Sequence, residues 1–135
     1  MQALSILAVP NNLPQVLDFV DKNLISVGCG ASVQLQLDVA VEEIFVNIAS
    51  YAYSTEAGSA VVCVEASPDP ASVTITFMDR GVPYNPLENP DPDISLPLRD
   101  RKRGGLGIFM AKQYMDDIAY QYKDGQNILT LKKRL

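Results

Sequence analysis

The chain has 135 residues, of which 47% are hydrophobic, and a formal net charge of −5. This length fits a single domain over residues 1–135, and the negative charge argues against a nucleic-acid partner because no broad basic face is available for phosphates. No apolar stretch is long enough for a bilayer, and the N-terminus lacks the features of a signal peptide, so the sequence predicts a cytosolic protein that does not enter a membrane.

The hydrophobic pattern switches between helical and strand periods along the chain. Helices are expected where apolar residues recur at three- and four-residue spacing, and strands where they alternate. Asn12 is expected to cap the first helix. The predicted elements, in chain order, are a strand over 3–9, helices over 13–27 and 32–53, strands over 60–66 and 72–78, a helix over 109–117, and strands over 118–123 and 127–132. Helices that alternate with hairpins predict an α/β sandwich, in which a mixed, mainly antiparallel sheet is covered by helices on one face.

Residues 80–103 interrupt this pattern with several prolines and many charges. A connection of this length in a small domain is usually functional, which favours a lid. It leads into Arg103-Gly104-Gly105-Leu106-Gly107, directly before the last predicted helix. Backbone N–H groups and the helix dipole attract anions at such a helix start. Taken alone, the glycines also fit a plain turn.

Glu43 and Asn47 are four residues apart in the second predicted helix, so they lie on one side of it, at the margin of its apolar stripe. A carboxylate and an amide in this position suit a base and an oxygen ligand for Mg²⁺, but also an ordinary solvated flank. Asp79 ends a predicted strand, and Gly81 follows. In one interpretation, Asp79 accepts a hydrogen bond from a ligand amine and Gly81 lets a flat ring approach the backbone. In the other, the two residues simply form a turn.

The chain contains no histidine and only two cysteines, Cys29 and Cys63. The absence of histidine excludes a Ser/His/Asp triad and a phosphohistidine carried on this chain. The cysteines are far apart in sequence and lack metal-ligand spacing, so both are predicted to be reduced and structural.

The order of these motifs resembles the N, G1 and G2 boxes of the GHKL (Bergerat) ATP-binding fold. Within that superfamily, the chain is similar to the free-standing anti-sigma factor serine/threonine kinases of the RsbW and SpoIIAB type. The resemblance covers nearly the whole chain and is carried by LDVAVEEIFVNIASYAY, DRGVPYNPLENP and GGLGIFMAKQYMDDIAYQYKDGQNILTLKKRL. It implies ATP and Mg²⁺ as cofactors, a STAS-type anti-sigma-factor antagonist as the phosphorylated partner, sequestration of a sigma factor or another signalling protein, and a homodimer.

The resemblance also implies a role for each motif residue. Glu43 is expected to be the catalytic base, Asn47 the Mg²⁺ ligand, and Asp79 the partner of the adenine amino group. The other expected site residues are Gly81 in the ring pocket, Gly104, Gly105, Leu106 and Gly107 at the triphosphate, Arg103 or Arg101 at the γ-phosphate, and Thr130 at the adenine.

One departure from the family pattern is Tyr51, which stands where many relatives have histidine. The sequence is also compatible with two alternative functions. One is a nucleotide-gated binding module without transfer activity. The other is the catalytic domain of a histidine kinase, which would need a histidine from another polypeptide.

Overall fold

Alternation of apolar and polar side chains along the strands decides which face of the sheet meets the helices. In the computed structural model, which describes residues 1–53, 58–68, 70–88 and 105–135, Val73, Ile75 and Phe77 of one central strand are buried, and Thr74 and Thr76 between them are less so. Successive strand residues point to opposite faces, so the buried set lines the face under the helices. The elements are β1 (Gln2–Leu7), α1 (Leu13–Ser26), α2 (Ala31–Tyr51), β2 (Ser59–Pro68), β3 (Ala71–Asp79), α3 (Gly105–Tyr114), β4 (Asp117–Lys123) and β5 (Gln126–Arg134).

The five strands lie in the order β1-β2-β3-β5-β4. Each neighbouring pair is antiparallel. The predicted α/β architecture with a mainly antiparallel sheet is therefore confirmed, although the part of the sheet that the structure describes contains no parallel pair. Neighbours in the sheet are consecutive strands of the chain except β3 and β5, between which α3 and β4 lie in the sequence. That exception places the C-terminal strand beside the end of β3.

The helices pack through apolar stripes at helical spacing. Val16, Val20 and Leu24 of α1 are completely buried, as are Leu37 and Val41 of α2. Residues four apart lie above one another on a helix, so each stripe forms a continuous ridge toward the sheet. No helix in the described ranges has both the length and the apolar character needed to cross a bilayer.

Asn12 occupies the N-cap position of α1, as predicted, but the expected side-chain cap is missing. The Asn12 side chain makes no capping hydrogen bond to the helix, and its Nδ2 donates instead to the carbonyl oxygen of Leu7 at 2.8 Å. Pro14, in the first turn, has no N–H to offer a cap. Asn12 therefore ties the end of β1 to the start of α1.

The last helix lies further toward the N-terminus than its pattern predicts, beginning at Gly105 and ending at Tyr114. The Lys133 ammonium of β5 donates to the carbonyl oxygen of Tyr114 at 2.6 Å. Asp117 is already paired with Lys132 across the sheet. The chain leaves the helix early because β4 must reach its partner strand.

Candidate functional site

A pocket of about 390 Å³, counted out to open solvent, lies between α2 and the ends of β3 and β5. Its mixture of apolar walls with a few polar groups is typical of small-molecule sites. The lining is apolar at Ile44, Ile48, Ala52, Phe77, Val82, Pro86 and Leu129, and polar at Asn47, Asp79, Tyr84, Tyr120 and Asn127. The arrangement suits a flat, largely apolar ring system with at least one hydrogen-bonding edge.

Asp79 is the last residue of β3, and only 5% of it is exposed. Its Oδ1 accepts hydrogen bonds from the Gly81 N–H and from Asn127 Nδ2, both at 2.9 Å. Within the described part of the chain, no group donates to Oδ2. Asp79 thus combines one oxygen held by the protein with one available as an acceptor to a molecule in the pocket.

Gly81 contacts the end of α2. A Cβ atom placed on it would lie 2.1 Å from the carbonyl oxygen of Ala52, and the next residue, Val82, donates its N–H to that same oxygen at 2.8 Å. Gly81 is not among the residues that line the pocket. In this structure, glycine is required at this position because two backbones meet there.

Glu43 lies against the first turn of α3, although 64 positions separate it from Gly107 in the sequence numbering. A Cβ atom on Gly107 would lie 2.3 Å from Glu43 Oε2. Burial raises the pKa of Glu43, and the charge of neighbouring Glu42 raises it further. A carboxylate with a raised pKa is a better proton acceptor near neutral pH.

Asn47 lines the pocket one helical turn from Glu43. Ala52 at the C-cap of α2, and Asn47 and Glu43 within the helix, thus follow one another from the pocket toward α3, over about 13 Å at the rise of an α-helix. The structure brings together four predicted site residues in this way: Glu43, Asn47, Asp79 and Gly107. Together they outline an elongated site with a ring pocket at one end and a helix N-terminus at the other.

Thr130 is not brought to this site. It pairs with Thr76 of β3 and with Ala119 of β4. The pocket residue Leu129 and the buried Leu131 flank it in the strand and face the helices, so Thr130 faces the other side of the sheet.

Asn127 is the polar residue of β5 that reaches the pocket, and it was not predicted from the sequence. It lies directly opposite Asp79 in the sheet and is 6% exposed. A signal for it exists, because alternation with Leu129 and Leu131 places an amide on the buried face, where polar groups need partners. Tyr84 and Tyr120 also line the pocket and were not predicted.

The remaining predicted residues fall outside what the structure describes. Arg101, Arg103 and Gly104 lie beyond the described residues, as does the predicted lid from residue 89 onward. Gly105 and Leu106 are described by their backbone, as the first two residues of α3.

Comparisons with known proteins agree with this architecture. A family model for the histidine kinase-like ATPase domain matches residues 6–133. The serine/threonine-protein kinase BtrW of Bordetella bronchiseptica is 29% identical over 101 residues, which cover 75% of this chain and 70% of that protein. The serine-protein kinase RsbW of Bacillus cereus is 27% identical over 100 residues, which cover 71% of this chain and 61% of that protein.

A solved structure shares the fold. The crystal structure of the RsbU and RsbW domains of Rv1364c from Mycobacterium tuberculosis matches with a TM-score of 0.70 at 20% sequence identity. The match covers 100% of this chain and 33% of that one. The similarity therefore concerns one part of a longer protein.

Proposed function

Because this chain belongs to the histidine kinase-like ATPase domain family, we propose that it is an ATP-dependent serine/threonine protein kinase that acts as an anti-sigma factor in the cytoplasm. Its protein substrate is a STAS-type antagonist, and it sequesters a sigma factor or another signalling protein. The similarity to BtrW and RsbW, both named as kinases, supports this activity. The observation that carries the proposal is the site itself, in which the Asp79 pocket continues along α2 to Glu43 and the start of α3.

The pocket end of the site holds the adenine. Asp79 Oδ2 accepts a hydrogen bond from the exocyclic amine, which is a donor. Ile48 and Leu129 supply apolar walls for the ring. Gly81 supports this end indirectly, since its contact with Ala52 keeps the segment after β3 against α2.

The other end holds the phosphates. The backbone N–H groups from Gly105 to Gly107 open α3, where the helix dipole favours an anion. Asn47 provides an oxygen for Mg²⁺, which usually takes one or two protein ligands and fills its other positions with phosphate and water oxygens. Bound Mg²⁺ would neutralise phosphate charge, and Arg101 or Arg103 is proposed to assist.

Glu43 acts on the substrate hydroxyl. The Ser or Thr oxygen of the partner forms a bond to the γ-phosphorus, and the bond from that phosphorus to the bridging oxygen breaks, leaving its electron pair on ADP. The hydroxyl proton passes to the Glu43 carboxylate. The raised pKa of Glu43 suits this transfer, and the contact with Gly107 places the carboxylate beside the helix start that binds phosphate.

The test compares Glu43→Gln with Glu42→Gln, since these adjacent glutamates differ in exposure and position. The protein is purified with the partners that it binds in its own cell and incubated with Mg²⁺ and radiolabelled ATP. The Glu43→Gln change is expected to slow phosphate transfer by at least about 100-fold while ADP affinity stays similar. Transfer by Glu43→Gln at the parent rate would contradict the assigned role.

The matched control, Glu42→Gln, is expected to retain activity. Removing its negative charge lowers the pKa of Glu43, so the acid limb of the pH–rate profile moves to lower pH. The same assay separates the alternative functions. ADP binding without any phosphoprotein would indicate a nucleotide-gated binding module, and an acid-labile phosphohistidine on a partner would indicate a histidine kinase working in trans.

A further inference from the structure

The side-chain amide of Asn127 uses its full hydrogen-bonding capacity. Nδ2 donates to Asp79 Oδ1 and to the carbonyl oxygen of Val82, both at 2.9 Å. Oδ1 accepts from the Tyr84 N–H at 3.1 Å and from the Tyr120 hydroxyl. Two donated and two accepted hydrogen bonds saturate an amide, so Asn127 joins β5, the end of β3, the segment after β3 and β4.

The chemistry of these partners permits only one orientation of the amide. A carboxylate oxygen and a carbonyl oxygen face Nδ2, and neither can donate a proton. A backbone N–H faces Oδ1, and it can only donate. Rotating the amide by half a turn would oppose acceptor to acceptor and donor to donor, at a cost of several buried hydrogen bonds.

This fixed amide determines what Asp79 offers to the pocket. The Gly81 N–H and Asn127 Nδ2 occupy Asp79 Oδ1, and no group in the described ranges donates to Oδ2. Adenine presents its N6 amine, a donor, where guanine presents O6, an acceptor. An acceptor at Oδ2 in a buried pocket thus binds the first edge and repels the second.

We propose that Asn127 is a positioning residue for base selectivity, which holds Asp79 as an acceptor and thereby makes the pocket prefer adenine to guanine nucleotides. Asn127 acts through Asp79 and the Val82–Tyr84 segment. The inference rests on the proposed function, because it assumes that this pocket binds the nucleotide base.

The test measures dissociation constants for ADP and GDP with the full chain, for the parent protein, Asn127→Asp and Asn127→Leu. Asn127→Asp keeps the shape but removes both donors and sets a second carboxylate against Asp79. The ratio of GDP to ADP dissociation constants is expected to fall by about tenfold or more in both variants. Because the two nucleotides carry the same charge, an unspecific electrostatic effect of the new carboxylate cancels in this ratio.

Asn11→Asp is the control, since Asn11 is exposed and far along the chain from the pocket; it is expected to leave the ratio unchanged. Thermal unfolding of each variant shows whether it folds. If the Asn127 variants do not fold, Tyr120→Phe carries the test, because it removes one hydrogen bond to the amide and is expected to lower the ratio by about threefold. In the kinase assay, all three site variants are expected to raise the KM for ATP with little change in kcat.

The outcomes separate the two proposals. If the parent protein binds neither nucleotide, the proposed function fails. If the parent binds ADP and folded Asn127 variants lose ADP and GDP affinity equally, Asn127 is merely structural and the inference is overturned while the proposed function stands. A parent protein that binds GDP as tightly as ADP would also overturn it.

Discussion

Gly81 and Gly107 both lie where a side chain would clash, but with different kinds of neighbour. Gly81 excludes a side chain because the backbone oxygen of Ala52 lies 2.1 Å from where its Cβ would be. Gly107 excludes one because the end of the Glu43 side chain lies 2.3 Å away. A backbone cannot yield without moving a whole element, whereas a carboxylate can rotate. Gly81 is therefore a requirement of packing, and Gly107 a requirement of the site.

Gly107→Ala is expected to separate stability from activity. Alanine in a helix is favoured over glycine by about 1 kcal/mol, so the free energy of unfolding should hold or rise. The new methyl group displaces the Glu43 carboxylate, and phosphate transfer should fall by about tenfold or more. Urea unfolding and the kinase assay measure the two effects. Gly30→Ala is the control, because nothing lies within 4 Å of its Cβ position; equal activity losses in both variants would contradict this explanation.

At the scale of elements, the contact between α1 and α2 contains two carboxyl groups. Burial raises the pKa of Asp38 to about 7, and a hydrogen bond with Asp21 and the negative charge of Asp21 contribute to this increase. Oδ1 of each residue is buried without a partner among the described groups. Nearby Cys29 has its own pKa raised by burial and by Asp38. The helices therefore pack best when this pair holds a proton.

This pair should make stability depend on pH. The folded pKa of Asp38, about 7, exceeds the ordinary aspartate pKa of 3.8. Between these two pKa values, the folded state binds more protons than the unfolded state. The contribution of Asp38 to the free energy of unfolding therefore falls as pH rises from about 4 to 7. Asparagine does not ionise, so Asp38→Asn removes that loss. The free energy of unfolding of the variant minus that of the parent should therefore be greater at pH 8 than at pH 5, by about 1 kcal/mol after solvent screening. Urea unfolding at the two pH values measures it.

Asp18→Asn provides the comparison on α1, since Asp18 is exposed in a surface pair with Lys22. A surface pair contributes little, so this variant should show no such pH dependence. The interpretation of the Asp21–Asp38 contact would be wrong if the stability of Asp38→Asn relative to the parent were the same at both pH values.

At the scale of the whole molecule, the pocket belongs to both layers. Asn47 and Ile48 come from α2, Phe77 and Leu129 from the sheet, and Val82 from the segment between β3 and α3. In the proposed site, the base would meet helix and sheet together, whereas the phosphates would meet the two helices α2 and α3. A ligand that touches every layer binds only when all of them are folded and docked.

Nucleotide should therefore stabilise the described fold as one unit. With ADP at about 100 times its dissociation constant, the free energy of unfolding should rise by about 2.7 kcal/mol. Calorimetry should show one transition that moves to higher temperature, and GDP at the same concentration should move it less. An unchanged midpoint at saturating ADP, or a transition that splits in two, would argue against a base pocket shared by helix and sheet.

Much of this protein was predictable because its signals are local. The spacing of Glu43 and Asn47 places them on one side of a helix wherever that helix packs, and the alternation in β3 leads to Asp79 at its end. The period of the apolar residues likewise indicated the elements and their layering. The ends of α3 were less predictable, because a helix ends where its partner strand requires.

The contacts that assemble the site depend on tertiary structure. Thr130 and Asn127 are both polar residues of one strand, and which of them meets Asp79 depends on the register of β3 with β5, where a slip of one residue exchanges the two faces. The contact of Glu43 with Gly107 similarly depends on α3 returning to α2. Local periodicity was enough to predict the elements and the candidate groups, whereas long-range pairing decided which of these groups share a site.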